Sequence, residues 1–84
     1  PEWPSAQADL TDERATTAAI HTLADESGPF DGLVAAAGIV PPWHAPDEID
    51  LAEFERVMAV NVTGVVTAIA AVTPAMPAGS TIVA

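Results

Sequence analysis

Residues 31–38 are DGLVAAAG, and residues 57–64 are VMAVNVTG. The first stretch predicts a short buried strand that runs into a turn of small residues. Small residues after a parallel strand let a ligand approach the backbone closely. The second stretch places an amide side chain, Asn61, in the middle of an apolar helix. Because a buried amide needs hydrogen-bond partners, Asn61 is expected to have a specific role there. Together the two stretches indicate a nucleotide-binding α/β enzyme.

Three short apolar segments are predicted as strands: residues 6–8, 33–37 and 81–84. The middle segment is a continuous apolar run between two glycines, which is typical of a strand buried on both faces. Strands that alternate with helices indicate βαβ units and a parallel sheet. We therefore predict that residues 1–84 form an incomplete α/β domain, the central strand–helix units of a doubly wound parallel sheet.

Two predicted helices separate these strands. Thr11 is predicted to be the N-cap of the first helix, and Gly28-Pro29 to end it. Asp50 can cap the second helix, which is predicted to end near Met76. Apolar side chains recur along the second helix at spacings of three and four, as expected for a face directed at a core.

Charge is unevenly distributed along the chain. The net charge is −10, and Arg14 and Arg56 are the two cations, so neither nucleic acid nor an anionic membrane surface is an expected partner. Residues 57–84 contain no charged side chain. This run is long enough to suggest a membrane span, but Asn61 and two prolines interrupt it. A helix and strand buried in a larger α/β protein, or at a subunit interface, explain the run better.

The remaining composition excludes two other classes of site. There is no cysteine, and the two histidines show no metal-ligand spacing, so neither a disulfide framework nor a metal site is predicted. The first residues lack a basic start followed by an apolar core, and we expect a cytoplasmic protein. Since both ends of the sequence look cut, we also expect an internal piece of a longer protein.

Candidate site residues follow from the predicted fold, because ligands of open parallel sheets bind beyond the carboxyl ends of the strands. Asp9-Leu10 and the turn Ala36-Ala37-Gly38 both follow predicted strands. Each has a structural alternative, since Asp9 could cap a helix and the turn could serve tight packing. Asn61 could likewise be a core amide bonded to backbone. His44, in a proline-rich loop, could line a substrate pocket, although a lone loop histidine is more often a surface residue.

In order along the chain, four segments resemble the short-chain dehydrogenase/reductase family, and from the first to the last the resemblance extends over essentially the whole chain. Residues 9–12, DLTD, resemble the segment whose Asp and following apolar residue contact the cofactor adenine. Residues 31–38 resemble the family's D-x-L-V-N-N-A-G strand and turn. Residues 60–64, VNVTG, resemble the helix with the active-site Asn, and residues 79–83, GSTIV, resemble the strand that leads to the catalytic Ser.

The resemblance implies a Rossmann-type NAD(P)-binding fold. It also implies an oxidoreductase that transfers hydride between NAD or NADP and an alcohol or carbonyl substrate. Asn61 would belong to an Asn-Ser-Tyr-Lys set, in which its backbone carbonyl, freed by a helix distortion, holds a water of a proton relay. The implied protein is a dimer or tetramer assembled through the long helix. The implied cofactor contacts are Asp9 and Leu10 at adenine, Ala36, Ala37 and Gly38 beside its ribose, and Val60 nearby.

Departures from the family pattern keep a second function open. This chain has Ala35 and Ala36 where the family turn usually carries Asn, so contacts there would rest on backbone groups. The T-G-x-x-x-G-x-G loop and the Y-x-x-x-K motif do not occur in the 84 residues, and two family strands that separate residues 6–8 from 33–37 are absent as well. The resemblance therefore implies a catalytic parent protein of which these residues alone are inactive. The alternative is a noncatalytic nucleotide-sensing or interaction module. A catalytic Ser and Y-x-x-x-K beyond Ala84 would favour the enzyme.

Overall fold

The computed structural model of the protein describes residues 3–84, so Pro1 and Glu2, the start of the predicted domain, lie outside the described residues. Two strands and a series of helices alternate along the chain, as predicted. The first elements are helix α1 (Glu13–Ser27), strand β1 (Gly32–Val34) and a 3₁₀ turn (Pro46–Glu48). The later ones are helix α2 (Leu51–Met58), a π turn (Ala59–Thr63), helix α3 (Gly64–Val72), a second 3₁₀ turn (Thr73–Ala75) and strand β2 (Thr81–Val83).

Strands β1 and β2 form a parallel sheet, and the long helical segment makes the crossover between them. Leu33 lies opposite Ile82 in the register of the pair. The Ala35 N–H donates to the Val83 carbonyl at 2.8 Å, which extends the ladder by one residue. The predicted βαβ unit is therefore present, and the small-residue turn follows the carboxyl end of β1.

The predicted strands were too long and too buried. Residues 6–8 form no strand, because a strand needs a hydrogen-bonded neighbour and nothing in residues 3–84 pairs with them. The strand predicted at 33–37 ends at Val34, and the Val34 side chain is 73% exposed rather than buried. Burial on both faces requires cover from helices on both faces of the sheet. Within residues 3–84 that cover is incomplete.

Helix α1 begins one residue later than predicted. Its N-cap is Asp12, whose Oδ1 accepts a hydrogen bond from the Ala15 N–H at 3.0 Å. Thr11 does not cap the helix because its hydroxyl donates to Asp9 instead, at 2.7 Å. The predicted end is confirmed: Gly28 follows the last turn with φ +83°, a left-handed conformation that favours glycine.

The second helix is continuous from Leu51 to Ala75, including the π turn and the 3₁₀ end. Asp50 caps it as predicted, because Asp50 Oδ1 accepts from the Ala52 N–H at 2.9 Å. Its length and composition would suffice to cross a membrane, although a core helix of a soluble protein meets the same criteria.

Only the second half of this helix contributes to a core. Helix α3 packs against α1, and the buried residues within 3–84 lie on these two helices: Thr16, Gly64, Ala71 and Val72. In the first half, the Phe54 and Met58 side chains are 54% and 40% exposed. The expected inward apolar face therefore applies to α3, while α2 presents its apolar side chains outward.

Candidate functional site

Asn61 clamps the backbone of the residue that follows the small-residue turn. Its Oδ1 accepts from the Ile39 N–H at 2.8 Å, and its Nδ2 donates to the Ile39 carbonyl at 2.9 Å. Both bonds are partly buried, so the amide is satisfied and fixes both polar groups of Ile39 at once. For the side chain of Asn61, the structural alternative given above is therefore the one observed: the amide bonds to backbone groups that lie beside it. The role of the Asn61 carbonyl stays a prediction.

The helix is distorted at Asn61, as the resemblance implies. Residues Ala59–Thr63 form a π turn, in which the Gly64 N–H donates to the Ala59 carbonyl. Single π turns inside α-helices are rare and frequently occur at functional sites. Val60 and Asn61 both lie in this turn and both are half-buried. The site helix therefore changes its hydrogen-bond pattern at the residue predicted to be catalytic.

The turn at residues 36–38 lies directly against Asn61. A Cβ on Gly38 would stand 3.4 Å from Asn61 Oδ1, which is closer than most side-chain contacts. Ala36, Ala37 and Gly38 are all exposed. The backbone of this turn is therefore accessible to a ligand on one side and held by the helix on the other.

Gly64 brings the Asp9-Leu10 segment to the same edge of the sheet. A Cβ on Gly64 would lie 3.0 Å from Leu10 Cβ and 3.5 Å from the Leu10 carbonyl oxygen. Leu10, Ala36, Ala37 and Gly64 line one cavity of about 290 Å³. The close helix packing expected at Gly64 is confirmed. The other predicted site residues do not line this cavity: Asp9, Gly38, Val60 and Asn61.

Asp9 is exposed and forms a local turn through its carboxylate. Asp9 Oδ1 accepts from the Thr11 N–H at 2.9 Å and from the Thr11 hydroxyl at 2.7 Å. These hydrogen bonds favour the ionised carboxylate and lower the pKa of Asp9, and the charge of Arg56 adds a smaller effect in the same direction. Both bonds fall on Oδ1, so Oδ2 keeps its capacity to accept from a ligand.

Replacing Thr11 with Val is expected to raise the pKa of Asp9 part of the way toward its ordinary value. The hydroxyl donor is lost, whereas the Thr11 N–H, which is the larger cause of the lowered pKa, is retained. Stabilisation by ionised Asp9 is present above the ordinary carboxyl pKa and is lost as pH falls through the lowered pKa of the folded state. Carboxyl carbon chemical shifts, followed by NMR during an acid titration, measure this pKa. Thr11→Ser keeps the donor and should titrate like the unmodified protein; an unchanged Thr11→Val midpoint would contradict the assignment.

His44 anchors the proline-rich loop to the long helix. His44 Nε2 lies 2.9 Å from Glu53 Oε1, and the two side chains are 34% and 30% exposed. The pair borders a cavity of about 230 Å³, which Pro41 and Phe54 also line. His44 is therefore an exposed residue of the loop that is paired with a carboxylate of the helix. Its predicted place in a substrate pocket stays a prediction.

Three residues that were not predicted as partners also take part in this site. Ile39 takes part through its backbone alone, so no side-chain pattern could have indicated it. The Asp-Leu-Thr sequence is typical of a side-chain-closed turn and could have indicated that Thr11 bonds to Asp9. The Thr16 hydroxyl donates to the Asp9 carbonyl at 3.1 Å, and this contact depends on how helix α1 is placed relative to the loop that precedes it.

Comparisons with known proteins agree with this geometry. A family model described as short chain dehydrogenase matches residues 3–84. Over 57 residues the chain is 42% identical to cis-4-hydroxycyclohexanecarboxylate dehydrogenase of Sinomonas cyclohexanicum, and the alignment covers 68% of this chain and 23% of that enzyme. The chain thus spans less than a quarter of this relative.

Solved structures show the same similarity in three dimensions. A blue fluorescent protein from a metagenomic library, in complex with NADPH, superposes with a TM-score of 0.82 at 36% identity, over 90% of this chain and 30% of that one. A short chain dehydrogenase from Burkholderia cenocepacia J2315, in complex with NADP, gives a TM-score of 0.83 at 32% identity, over 90% and 31%. The chain belongs to the short-chain dehydrogenase/reductase family of oxidoreductases and has its Rossmann-type α/β fold.

Proposed function

We propose that this chain forms the central part of an NAD(P)-dependent oxidoreductase that transfers hydride between the nicotinamide and an alcohol or carbonyl substrate. The observation that carries the proposal is the clamp of Asn61 on Ile39, which joins the distorted helix to the turn after β1. Gly64 brings Leu10 to the same edge. Similarity to structures that contain NADPH and NADP supports a dinucleotide cofactor.

The residues at this edge fit the adenosine half of such a cofactor. Ala36, Ala37 and Gly38 are exposed and carry at most a methyl group, so a ribose can approach their backbone closely. Asp9 Oδ2 can accept from an amino group, and Leu10 offers apolar surface. When bound, the nicotinamide supplies the hydride chemistry, while the protein supplies binding, orientation and electrostatics.

Asn61 has two separate tasks in this proposal. Its side chain holds Ile39, and therefore the turn at residues 36–38, in a fixed position relative to the helix. Its backbone carbonyl, within the π turn, is proposed to accept a hydrogen bond from a water of the proton relay that serves the substrate oxygen. Separating the two tasks between side chain and backbone explains how the amide can be bonded to Ile39 while the residue is still functional.

The experiment for this function uses the purified whole protein. Binding of NADH and NADPH is measured by fluorescence, and turnover is measured with a panel of alcohols and carbonyl compounds. Binding together with turnover supports the oxidoreductase. If neither dinucleotide binds at any tested concentration, the proposal is wrong.

A noncatalytic nucleotide-binding module is the second candidate. Ala35 and Ala36 favour it, because neither offers a side-chain hydrogen bond to a ligand at the turn. This candidate predicts dinucleotide binding without turnover of any substrate in the panel.

We also propose that the whole protein is a homo-oligomer that assembles through the exposed apolar stripe of the long helix, and that it has neither a nucleic-acid nor a membrane partner. The stripe contains Leu51, Phe54, Met58, Val62 and Val66, which are 40–71% exposed. Contiguous apolar surface on a soluble protein typically marks an interface. The net charge of −10 disfavours anionic partners, and the packing of α3 on α1 favours a protein environment over lipid.

Replacing Met58 with Glu is expected to dissociate the oligomer, because the new carboxylate would be buried without a partner at the interface. Light scattering combined with size-exclusion chromatography measures the molar mass, which should fall to that of a smaller assembly. Ala18→Glu adds the same charge to the exposed side of α1 and should leave the mass unchanged. A Met58→Glu protein that keeps its original mass at micromolar concentration would place the interface elsewhere.

A further inference from the structure

Thr16 uses its hydroxyl in an unusual way for a helical threonine. It is the one buried polar side chain within residues 3–84, at 2% exposure. A helical threonine commonly bonds to the carbonyl one turn back, as Thr22 does to Ala18 at 3.0 Å. Thr16 instead donates to the carbonyl of Asp9 at 3.1 Å, which lies outside the helix. The hydroxyl therefore ties helix α1 to the loop that precedes it.

This bond completes a set of contacts that hold Asp9 on two sides. The Asp9 carbonyl accepts from the Thr16 hydroxyl and also from the Asp12 N–H at 2.9 Å. The Asp9 carboxylate accepts two bonds from Thr11, both on Oδ1. Because the carbonyl and the side chain share one Cα, holding both restricts the directions in which Oδ2 can point.

We propose that Thr16 is a positioning residue for the adenine side of the cofactor site, and this inference rests on the proposed function. The Thr16 hydroxyl holds the Asp9 carbonyl, so that Asp9 Oδ2 and the neighbouring Leu10 meet the ligand in a fixed arrangement. Thr16 itself is buried behind the loop and does not touch the ligand. Valine has nearly the same shape as threonine but no donor, so it tests the hydroxyl separately from the packing.

The experiment measures the affinity of the whole protein for NADPH, 5′-AMP and nicotinamide mononucleotide, in the unmodified form and as Thr16→Val. Loss of one hydrogen bond is expected to raise the dissociation constants of NADPH and 5′-AMP by about threefold to tenfold. Affinity for nicotinamide mononucleotide should not change, because that ligand lacks adenine. Thr16→Ser keeps the donor and should restore binding. Thr22→Val removes a comparable hydroxyl on the same helix and should have no effect on binding.

Three outcomes overturn the inference, and they can be told apart. Thr16→Val with unchanged affinity for 5′-AMP shows that the hydroxyl does not position Asp9. An equal loss for all three ligands shows a general structural role instead. An unmodified protein that binds neither NADPH nor 5′-AMP overturns the proposed function itself. Thr16→Ala is measured in parallel, and thermal unfolding checks that each variant is folded, so a folding failure of one variant does not remove the test.

Discussion

Replacing Asn61 with Leu is expected to lower the free energy of unfolding by about 2–6 kcal/mol, since the N–H and the carbonyl of Ile39 each lose their partner at about 1–3 kcal/mol per unsatisfied buried group. Leucine has the same branched shape as asparagine, but its methyl groups cannot lie at the 2.8 Å and 2.9 Å of the two hydrogen bonds, so Ile39 must also move away from the helix. In both bonds to Asn61 the Ile39 groups are partly buried, which limits their access to water. Chemical denaturation of the whole protein measures the loss.

The same change should also reduce turnover. Asn61 holds the turn at residues 36–38 against the helix, and a misplacement of about 1 Å at a reacting site can cost on the order of a hundredfold in rate. We expect a kcat loss of that order in the proposed enzyme. Turnover is measured at saturating cofactor, so that weaker binding does not contribute.

Two further variants distinguish the loss of the two hydrogen bonds to Ile39 from a general effect of changing this part of the helix. Asn61→Asp keeps an acceptor for the Ile39 N–H but places a second oxygen against the Ile39 carbonyl, so it should be destabilising as well. Thr63→Ala changes an exposed side chain of the same π turn and should leave stability unaltered. An Asn61→Leu protein as stable as the unmodified one would show that water replaces the clamp.

Replacing Gly64 with Val is expected to cost about 1–3 kcal/mol of stability, because overpacking a close contact forces the backbone to shift. The first added carbon alone would lie 3.0 Å from Leu10 Cβ and 3.4 Å from the Ala59 carbonyl oxygen. Both atoms belong to or are directly attached to the backbone, so neither can move away as a flexible side chain would. The gain in helix propensity over glycine, less than about 1 kcal/mol, is smaller than this cost.

The consequence for binding follows from the position of Leu10. A shift of Leu10 also displaces Asp9, so Gly64→Val should weaken binding of 5′-AMP together with stability. Thr63→Val introduces the same residue at the adjacent exposed position and serves as the matched control. Combining Gly64→Val with Leu10→Gly removes one of the contacting carbons and should recover part of the lost stability. A double variant less stable than the sum of the two single losses would contradict the contact.

Several elements could be predicted because their signals are local. Gly28 ends α1, Asp50 caps the long helix, and the β2 strand begins at Thr81, each as expected from residues within a few positions. The apolar period along the long helix also sufficed to predict its length. Local hydrogen bonds and backbone preferences act over one or two turns, so neighbouring residues determine them.

Two local predictions were wrong, one because a nearby competitor was overlooked and one because a strand partner was lacking. Thr11 suits an N-cap, but Asp9 is close enough to take both its N–H and its hydroxyl, and Asp12 caps the helix instead. Residues 6–8 have the composition of a strand, yet a strand exists only with a hydrogen-bonded partner.

Patterns along the sequence were enough to predict the alternation of strand and helix and the crossover between β1 and β2. They also indicated that Asn61 and Gly64 each need a structural reason for their positions. Those reasons are visible only in the folded chain. Asn61 bonds to Ile39 across 22 positions of the chain, and Gly64 accommodates Leu10 from a still more distant segment. Contacts between residues so far apart in the chain depend on how the helices pack against the turns. The pattern of residues along one segment does not indicate which backbone segment will pack against it.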